Sequence, residues 1–343
     1  MNKQAAVMLA MGVASLSAAA GAFFLGKARA GDVPLPMPGP TAIETRSESA
    51  LNEPILPVRR GAKLDDRKVH LGRKLFLDVR LSGDNTISCN SCHNLASSGA
   101  DVRGHSLGIN GAEGDINAPT VFNSGLNFKQ FWDGRADSLE DQIDGPTHNP
   151  KEMGSSWPQI IQKLSADPEY VKSFGALYPT GIQSSSIKDA IATFECSLIT
   201  PDSRFDRYLR GDAAALTAEE KKGYQTFKDL GCISCHQGMN AGGNMFQPFG
   251  VMADYFADRG NETKADLGRF NVTGLAQDRH RFRVPGLRNV ELTAPYFHDA
   301  SAKTLEDAVR VMAQYQLGQP IEEEKVTLIV AFLKTMTGEQ PRP

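Results

Sequence analysis

Two stretches of this 343-residue chain repeat one pattern, Cys89-Asn90-Ser91-Cys92-His93 and Cys232-Ile233-Ser234-Cys235-His236. Cys-x-x-Cys-His is the attachment pattern of a c-type haem. On a helical turn, sulfurs at i and i+3 share a face within reach of two porphyrin vinyl groups, and the imidazole that follows falls beneath the iron. The sequence therefore predicts two covalently attached haem c groups, held by Cys89, Cys92, Cys232 and Cys235, with His93 and His236 as axial ligands. A zinc site made of two Cys-x-x-Cys pairs fits worse. Such pairs usually stand roughly 15–20 residues apart, and these are far more distant. The fifth cysteine, Cys196, has no partner left and reads as a buried small hydrophobe.

The sixth position of each iron decides its chemistry: two strong protein ligands make an electron carrier, whereas an open position admits a small molecule. Candidates in the second half are Met239, Met245, Met252, His280, His298 and Met312. Met312 lies on an apolar helical face, where a thioether raises the haem potential, although methionine on such a face is also ordinary core filling. In the first half the candidates are His105, His148 and Met153, with Gln142 and Glu152 nearby. Splitting a peroxide O–O bond needs a group that takes a proton from the near oxygen and gives one to the leaving oxygen, and a carboxylate does both. Glu152 is such a group. On composition alone it reads as a solvated surface side chain.

The elements that must position these residues are helical. Leu305, Ala308, Val309 and Met312, and again Val326, Ile329, Val330 and Leu333, recur at helical spacing. Gly72-Arg73-Lys74-Leu75-Phe76 before the first motif resembles Gly223-Tyr224-Gln225-Thr226-Phe227 before the second, a weak internal repeat. Thr217-Ala218-Glu219-Glu220 is a capping box at the second of these helices. Glycine- and proline-rich stretches, Gly99 to Pro119 and Gly238 to Gly250, predict long loops around the cofactors. The expected fold is mainly α: two tandem cytochrome c-like domains with long haem-wrapping loops.

Lys3, the apolar run from Ala5 to Gly26 and the small-x-small pattern Ala28-Arg29-Ala30 predict a signal peptide over 1–30 and a periplasmic protein. An uncleaved membrane anchor is the alternative. Export suits haem attachment to thiols that would otherwise pair. Residues 31–57, with clustered prolines, read as an extended arm. The roughly 310 residues after the signal suit two domains, here 58–200 and 201–343, with a tail after about Gly338 that packs back on the first. Lys plus Arg number 37 against 40 Asp plus Glu, a balance that gives no case for nucleic acid.

From about Lys63 to Pro341 the chain resembles the bacterial dihaem cytochrome c peroxidases, to which the methylamine-utilisation dihaem enzymes are related. The resemblance rests on Leu81-Ser82-Gly83 through His93, Asn117-Ala118-Pro119-Thr120-Val121-Phe122-Asn123, Gln130-Phe131-Trp132-Asp133-Gly134-Arg135-Ala136, Lys151-Glu152-Met153, Arg288-Asn289-Val290 and Ala294-Pro295-Tyr296-Phe297-His298. It implies an enzyme that reduces hydrogen peroxide to water with electrons from a small monohaem cytochrome c or a blue copper protein, commonly as a homodimer. It makes His93 the proximal ligand of the peroxidatic haem and His236 with Met312 the axial pair of the electron-transfer haem. Glu152 becomes the acid-base, Gln142 its hydrogen-bonding partner and Trp132 an aromatic bridge between the haems. Asn117, Thr293 and Pro295 match positions that give oxygen ligands to calcium, a hard cation.

One departure matters. Counting back from Asn117, the place where many members carry an iron-capping histidine is Ile109, which cannot ligate iron. His105 lies upstream and reads as a loop-packing residue. The expectation is an enzyme active without prior reduction. Two rival readings remain at the sequence level. One is a relative that oxidises a partner protein and carries tyrosine in place of Met312, with Tyr315 close by. The other is a dihaem electron carrier, which has no use for Glu152 and Gln142.

Overall fold

The computed structural model describes residues 53–59 and 63–340; the expected signal peptide and most of the arm lie outside the described residues. Helices dominate, in the order α1 (Asp66–Phe76), α2 (Cys89–Cys92), α3 (Leu139–His148), α4 (Trp157–Ser165), α5 (Pro168–Leu177), α6 (Ser184–Ser197), α7 (Arg204–Leu209), α8 (Ala218–Asp229), α9 (Tyr255–Arg259), α10 (Phe270–Thr273), α11 (Leu305–Gln316) and α12 (Glu323–Lys334). Sheet among the described residues is confined to an antiparallel ribbon of β1 (Phe246–Pro248) and β2 (Arg281–Arg283). No helix among the described residues is long and apolar enough to cross a membrane.

Each half is organised by the same helix crossing. A Cβ on Gly72 of α1 would stand 1.9 Å from the carbonyl oxygen of Ala190 on α6, and one on Gly223 of α8 would stand 2.0 Å from that of Leu328 on α12. Only glycine lets the backbones approach so closely. Phenylalanines lock the crossing. Phe76 meets Phe194 edge to face at 5.4 Å, and Phe227 packs on Phe332 at 5.3 Å. The weak repeat in the sequence is therefore the contact face of a duplicated helix pair.

Two cores grow from these crossings. Leu71, Leu75, Phe76, Ile187, Ile191 and Phe194 build the first, with Ile160, Tyr170 and Phe174 from α4 and α5. Phe205, Tyr224, Phe227, Val326, Ile329 and Phe332 build the second. Side chains of this size contribute about 1.5–3 kcal/mol each when fully buried. Caps fix where the site helices begin. Ser138 accepts from Asp141 N at the start of α3, Thr304 from Asp307 N at the start of α11, and Thr217 and Glu220 complete the expected box on α8.

The halves are stitched at Thr200. Its buried hydroxyl oxygen accepts from Asn123 Nδ2 at 2.7 Å and from Asn289 Nδ2 at 2.9 Å. Both asparagines sit in the left-handed region, with φ of 62° and 60°, a conformation asparagine tolerates better than most residues.

The end of the arm wraps onto the second half: Ile55 is 0 % exposed in the second core and Leu56 N donates to Gly238 O. Two expectations need correction. Val58, which the sequence places in the first domain, donates its N–H to Asp206 of α7. Apolar side chains at 55 and 58 are drawn into a core by the burial that a bare proline count ignores. Cys196 is not buried but exposed on α6, because the face of that helix meeting α1 is filled by Ala190, Ile191 and Phe194. At the other end of the chain, Gln340 Nε2 donates to Ser97 O at 2.6 Å, so the tail reaches the segment that follows the first motif.

Candidate functional site

Each Cys-x-x-Cys-His motif is closed into a turn by its own backbone. His93 N donates to Cys89 O at 2.9 Å and His236 N to Cys232 O at 3.0 Å. The imidazoles are oriented alike. Nδ1 of His93 faces Gly99 O at 3.2 Å and Nδ1 of His236 faces Ala241 O at 3.2 Å. A carbonyl only accepts, so Nδ1 carries the proton in both rings and Nε2 is left with a lone pair, the arrangement of a metal-ligating histidine. Burial holds both rings neutral, pushing His93 down and His236 down to about 4.

Around the second motif lies a cavity of about 630 Å³ lined by Cys232, Cys235, His236 and Met312 together with apolar side chains including Phe227, Leu230, Leu305 and Ile329. Two thioether-forming sulfurs, an imidazole and a methionine on one largely apolar chamber are the donor set of a low-spin c-type haem. Of the other second-half candidates, Met252 and His298 also line this cavity. His280 pairs with Glu262 at 2.8 Å, His298 with Asp266 at 2.7 Å, and Met252 is 62 % exposed. Tyr315, the tyrosine near Met312, binds Asp258 through its hydroxyl.

In the first half, several buried polar atoms lack protein partners. Among the described residues these are His105 Nε2, Ser106 Oγ, Ser124 Oγ and Glu195 Oε2. Ser106 neighbours the Cys92 thiol, and Glu195 lies near enough to Cys89 to add to the burial that pushes that thiol up to about 12. Buried orphans are rare in native proteins unless another group meets them. Ser106 and Glu195, the two that approach the thiols, fit a polar-edged prosthetic group at Cys89 and Cys92.

Glu152 is half-buried in the turn after α3. Asn149 Nδ2 donates to its Oε1 at 2.7 Å, and burial, the largest influence, pushes its carboxyl up against the opposing pull of Asn149 and Arg135. The loop carrying Ile109 docks directly on it: Ile109 N donates to Glu152 O at 2.8 Å, and the Ile109 side chain packs where a Cβ on Gly154 would be. Lys151 Nζ pairs with Asp115 Oδ1 at 2.6 Å and ties the loop again. Gln142 sits half-buried on α3, its amide without a protein partner among the described residues. His105 Nδ1 faces Glu113, His148 is exposed, and Met153 is buried in the first core.

Trp132 stands on the wall of the second cavity. Its Nε1 donates to Asn117 O at 2.8 Å and its carbonyl accepts from Arg283 N. Of the expected calcium ligands, Asn117 and Pro295 are in contact: Asn117 Nδ2 lies 2.7 Å from Pro295 O and 2.9 Å from Phe297 O. Rotating that amide would present Oδ1 in place of Nδ2. Thr293 lines the same cavity as Pro295, its hydroxyl donating to Val290 O. A second acidic group, Asp266, His298 and Asp299, is bridged by Arg259, whose guanidinium bonds both carboxylates. That cluster is a neutralised structural network.

A longer repeat than the sequence reading found underlies the site. Without a gap and at constant separation, Pro119 pairs with Pro285, Asn123 with Asn289, Phe131 with Phe297, Asp133 with Asp299, Ala136 with Ala302, and Leu139-Glu140-Asp141 with Leu305-Glu306-Asp307. The paired loops close with the same bridge, Gln130 to Ala136 and Tyr296 to Ala302. In this frame Trp132 pairs with His298, and Met312 on α11 pairs with Pro146 on α3. The proline side chain has no donor atom for a haem iron. The shared Phe-x-Asp and Leu-Glu-Asp strings were the signal available in the sequence.

Comparison with known proteins gives one direction. The profile of the di-haem cytochrome c peroxidase family matches residues 66–214. A protein named cytochrome c peroxidase from Escherichia coli (strain K12) is 52% identical over 84% of this chain, which spans 62% of that protein's length. Cytochrome c551 peroxidase of Nitrosomonas europaea is 47% identical, over 85% of this chain and 86% of its own. Among solved structures, a MauG-like protein associated with microbial copper homeostasis superposes with a TM-score of 0.72 at 32% identity, covering 83% of this chain and 93% of that one.

Proposed function

Because the chain belongs to the dihaem cytochrome c peroxidase family, whose members are oxidoreductases acting on peroxide, we propose that it reduces hydrogen peroxide to water in the periplasm, with electrons from a small monohaem cytochrome c or a blue copper protein. The peroxidatic site lies in the half spanning 58–200 and the electron-transfer site in the half spanning 201–343. The observation that carries this reading is the asymmetry of the paired helices: α11 brings Met312 to the cavity of His236, whereas α3 has Pro146 at the matching place. One centre is built to pass electrons and the other to bind a small molecule.

Bound at His93, a haem supplies the redox chemistry of O–O cleavage. The protein's own groups handle the protons. Glu152 takes the proton from the near oxygen of peroxide and returns it to the far oxygen, which leaves as water. Burial supports this role, because it raises the carboxyl toward the pH at which it works. Gln142, with a free amide, orients the peroxide. Asn149 holds the Glu152 carboxylate in place. Trp132 supplies the aromatic contact between the two sites. Asn117, Thr293 and Pro295 hold calcium near the junction of the halves, and the active species is a homodimer.

Ile109 in place of a capping histidine, and its loop docked on Glu152, support an enzyme that is active as oxidised. The test is an electron paramagnetic resonance spectrum of the fully oxidised protein, with turnover measured before and after mild reduction. A high-spin ferric signal with immediate turnover is expected. Two low-spin signals with turnover only after reduction would give the capping role to His105, and no turnover in either state would leave an electron carrier.

A further inference from the structure

Two arginines are buried in the second half, and only one has a counter-ion. Arg288 Nη1 lies 2.8 Å from the Asp206 carboxylate, both side chains being almost completely inaccessible. Arg283, 4 % exposed on β2, has no carboxylate among the described residues. Its Nε donates to Phe131 O at 3.2 Å and its Nη1 to Asn127 Oδ1 at 3.1 Å. Asn127 Oδ1 also accepts from Asn240 Nδ2 at 3.0 Å, which fixes the amide orientation. Of the five guanidinium N–H groups these contacts use two. Nη2 donates to no protein atom among the described residues.

The placement of this side chain is specific. Arg283, Asn127, Asn240 and Trp132 all line the cavity that holds Cys232, Cys235, His236 and Met312, and they form one polar stretch of a mostly apolar wall that Arg288 also reaches. Burial alone pushes the guanidinium down to about 10, with no acid to oppose it. A buried unpaired cation is costly, and proteins keep one where an anion arrives to meet it. A haem brings two carboxylates on one edge, and a planar guanidinium grips a carboxylate with two parallel N–H bonds.

We propose that Arg283 is the internal counter-ion of the second haem, its free N–H groups binding a propionate while Asn127 and Phe131 O hold the guanidinium in place. The inference rests on the haem reading of the second motif. Arg283 thereby acts as a positioning residue, fixing the rotation of the porphyrin about the thioether bonds and placing one positive charge beside it. Its pairing partner in the repeat, Asn117, is neutral, so the device belongs to the electron-transfer half alone.

The test compares resonance Raman spectra of the haem-loaded wild type, Arg283→Gln and Arg283→Lys. The propionate bending band of the second haem is expected to shift in the glutamine variant and to shift by less, without reaching the wild-type position, in the lysine variant, which keeps a charged donor but loses the two-bond grip. Mass measurement of the denatured chain reports haem attachment in each sample. A band unmoved in a fully loaded glutamine variant overturns the role of Arg283. Absence of haem on the Cys232–Cys235 peptide of the wild type overturns the haem reading instead. Should the glutamine variant fail to mature, a lysine variant with a band at the wild-type position and unaltered intensity would also overturn the contact, because one ammonium cannot reproduce a two-bond grip.

Discussion

Trp132 and His298 meet edge to face, their ring centroids 6.3 Å apart and their planes at 68°, and they hold the same place in the two repeated loops. One loop thus ends in an indole bonded to Asn117 O and the other in an imidazole bonded to Asp266. The pair forms the aromatic seam between the halves. Replacing Trp132 by Phe is expected to slow reoxidation of the prereduced Met312 centre by peroxide several-fold in stopped flow. It should also cost about 1 kcal/mol through the lost Nε1–H bond. An unchanged reoxidation rate would show that electrons take another route.

Glu152 must be ionised to take a proton, and burial raises its carboxyl above the usual range. Accordingly kcat/KM should fall as pH drops through that raised value, with an inflection above the ordinary glutamate range. Glu152→Gln is expected to abolish the inflection and lower turnover on the order of 100-fold, with both haem spectra intact. A glutamine variant that retains the same pH limb would assign it to another group.

Glu195 is 5 % exposed without a hydrogen bond to Oε2, and burial, together with Glu140, pushes it up to about 8 from 4.5. The folded chain holds this proton until about pH 8, whereas the unfolded chain releases it above 4.5. Stability from the neutral carboxyl is therefore complete below 4.5 and is lost as pH rises through 8. Glu195→Gln, which mimics the neutral form, should match the wild type in acid and exceed it in mild alkali by up to about 5 kcal/mol. Thermal unfolding across that range checks it; parallel curves would place a partner on the carboxyl.

The glycine at each helix crossing is replaceable only at a cost. Gly223→Ala would set a Cβ 2.0 Å from Leu328 O, a backbone atom that can yield only by separating α8 from α12. A loss of about 1–3 kcal/mol is expected, read as a lowered midpoint in denaturant. Gly175, with nothing near its Cβ position and in the interior of α5, serves as the control. Gly175→Ala should be neutral or stabilising.

Much of this was legible from residue types. The motifs, the helical faces at Val326 to Leu333 and the Thr217 box appear in the structure where spacing placed them, because each depends on local geometry. What escaped depended on distant partners. Ile55 joins the second core through a bridge to Gly238, and no local pattern announces that pairing. Cys196 was misread because hydrophobic type does not say which helix face meets α1. Nothing in the sequence sets Arg283 apart from other arginines; its lack of an acidic partner among the described residues depends on the fold. The pairing of Met312 with Pro146 was present in the letters, yet it became visible only when both loops closed with the same bridge.

Thr200 answers to both halves through a single oxygen, with no flexible linker between Asn123 and Asn289. A joint of that kind makes the spacing of the two attachment motifs a property of the backbone, not of a diffusive encounter. Internal electron transfer should then proceed at a rate indifferent to solvent viscosity, leaving the arrivals of donor and peroxide as the steps that thickened buffer can slow.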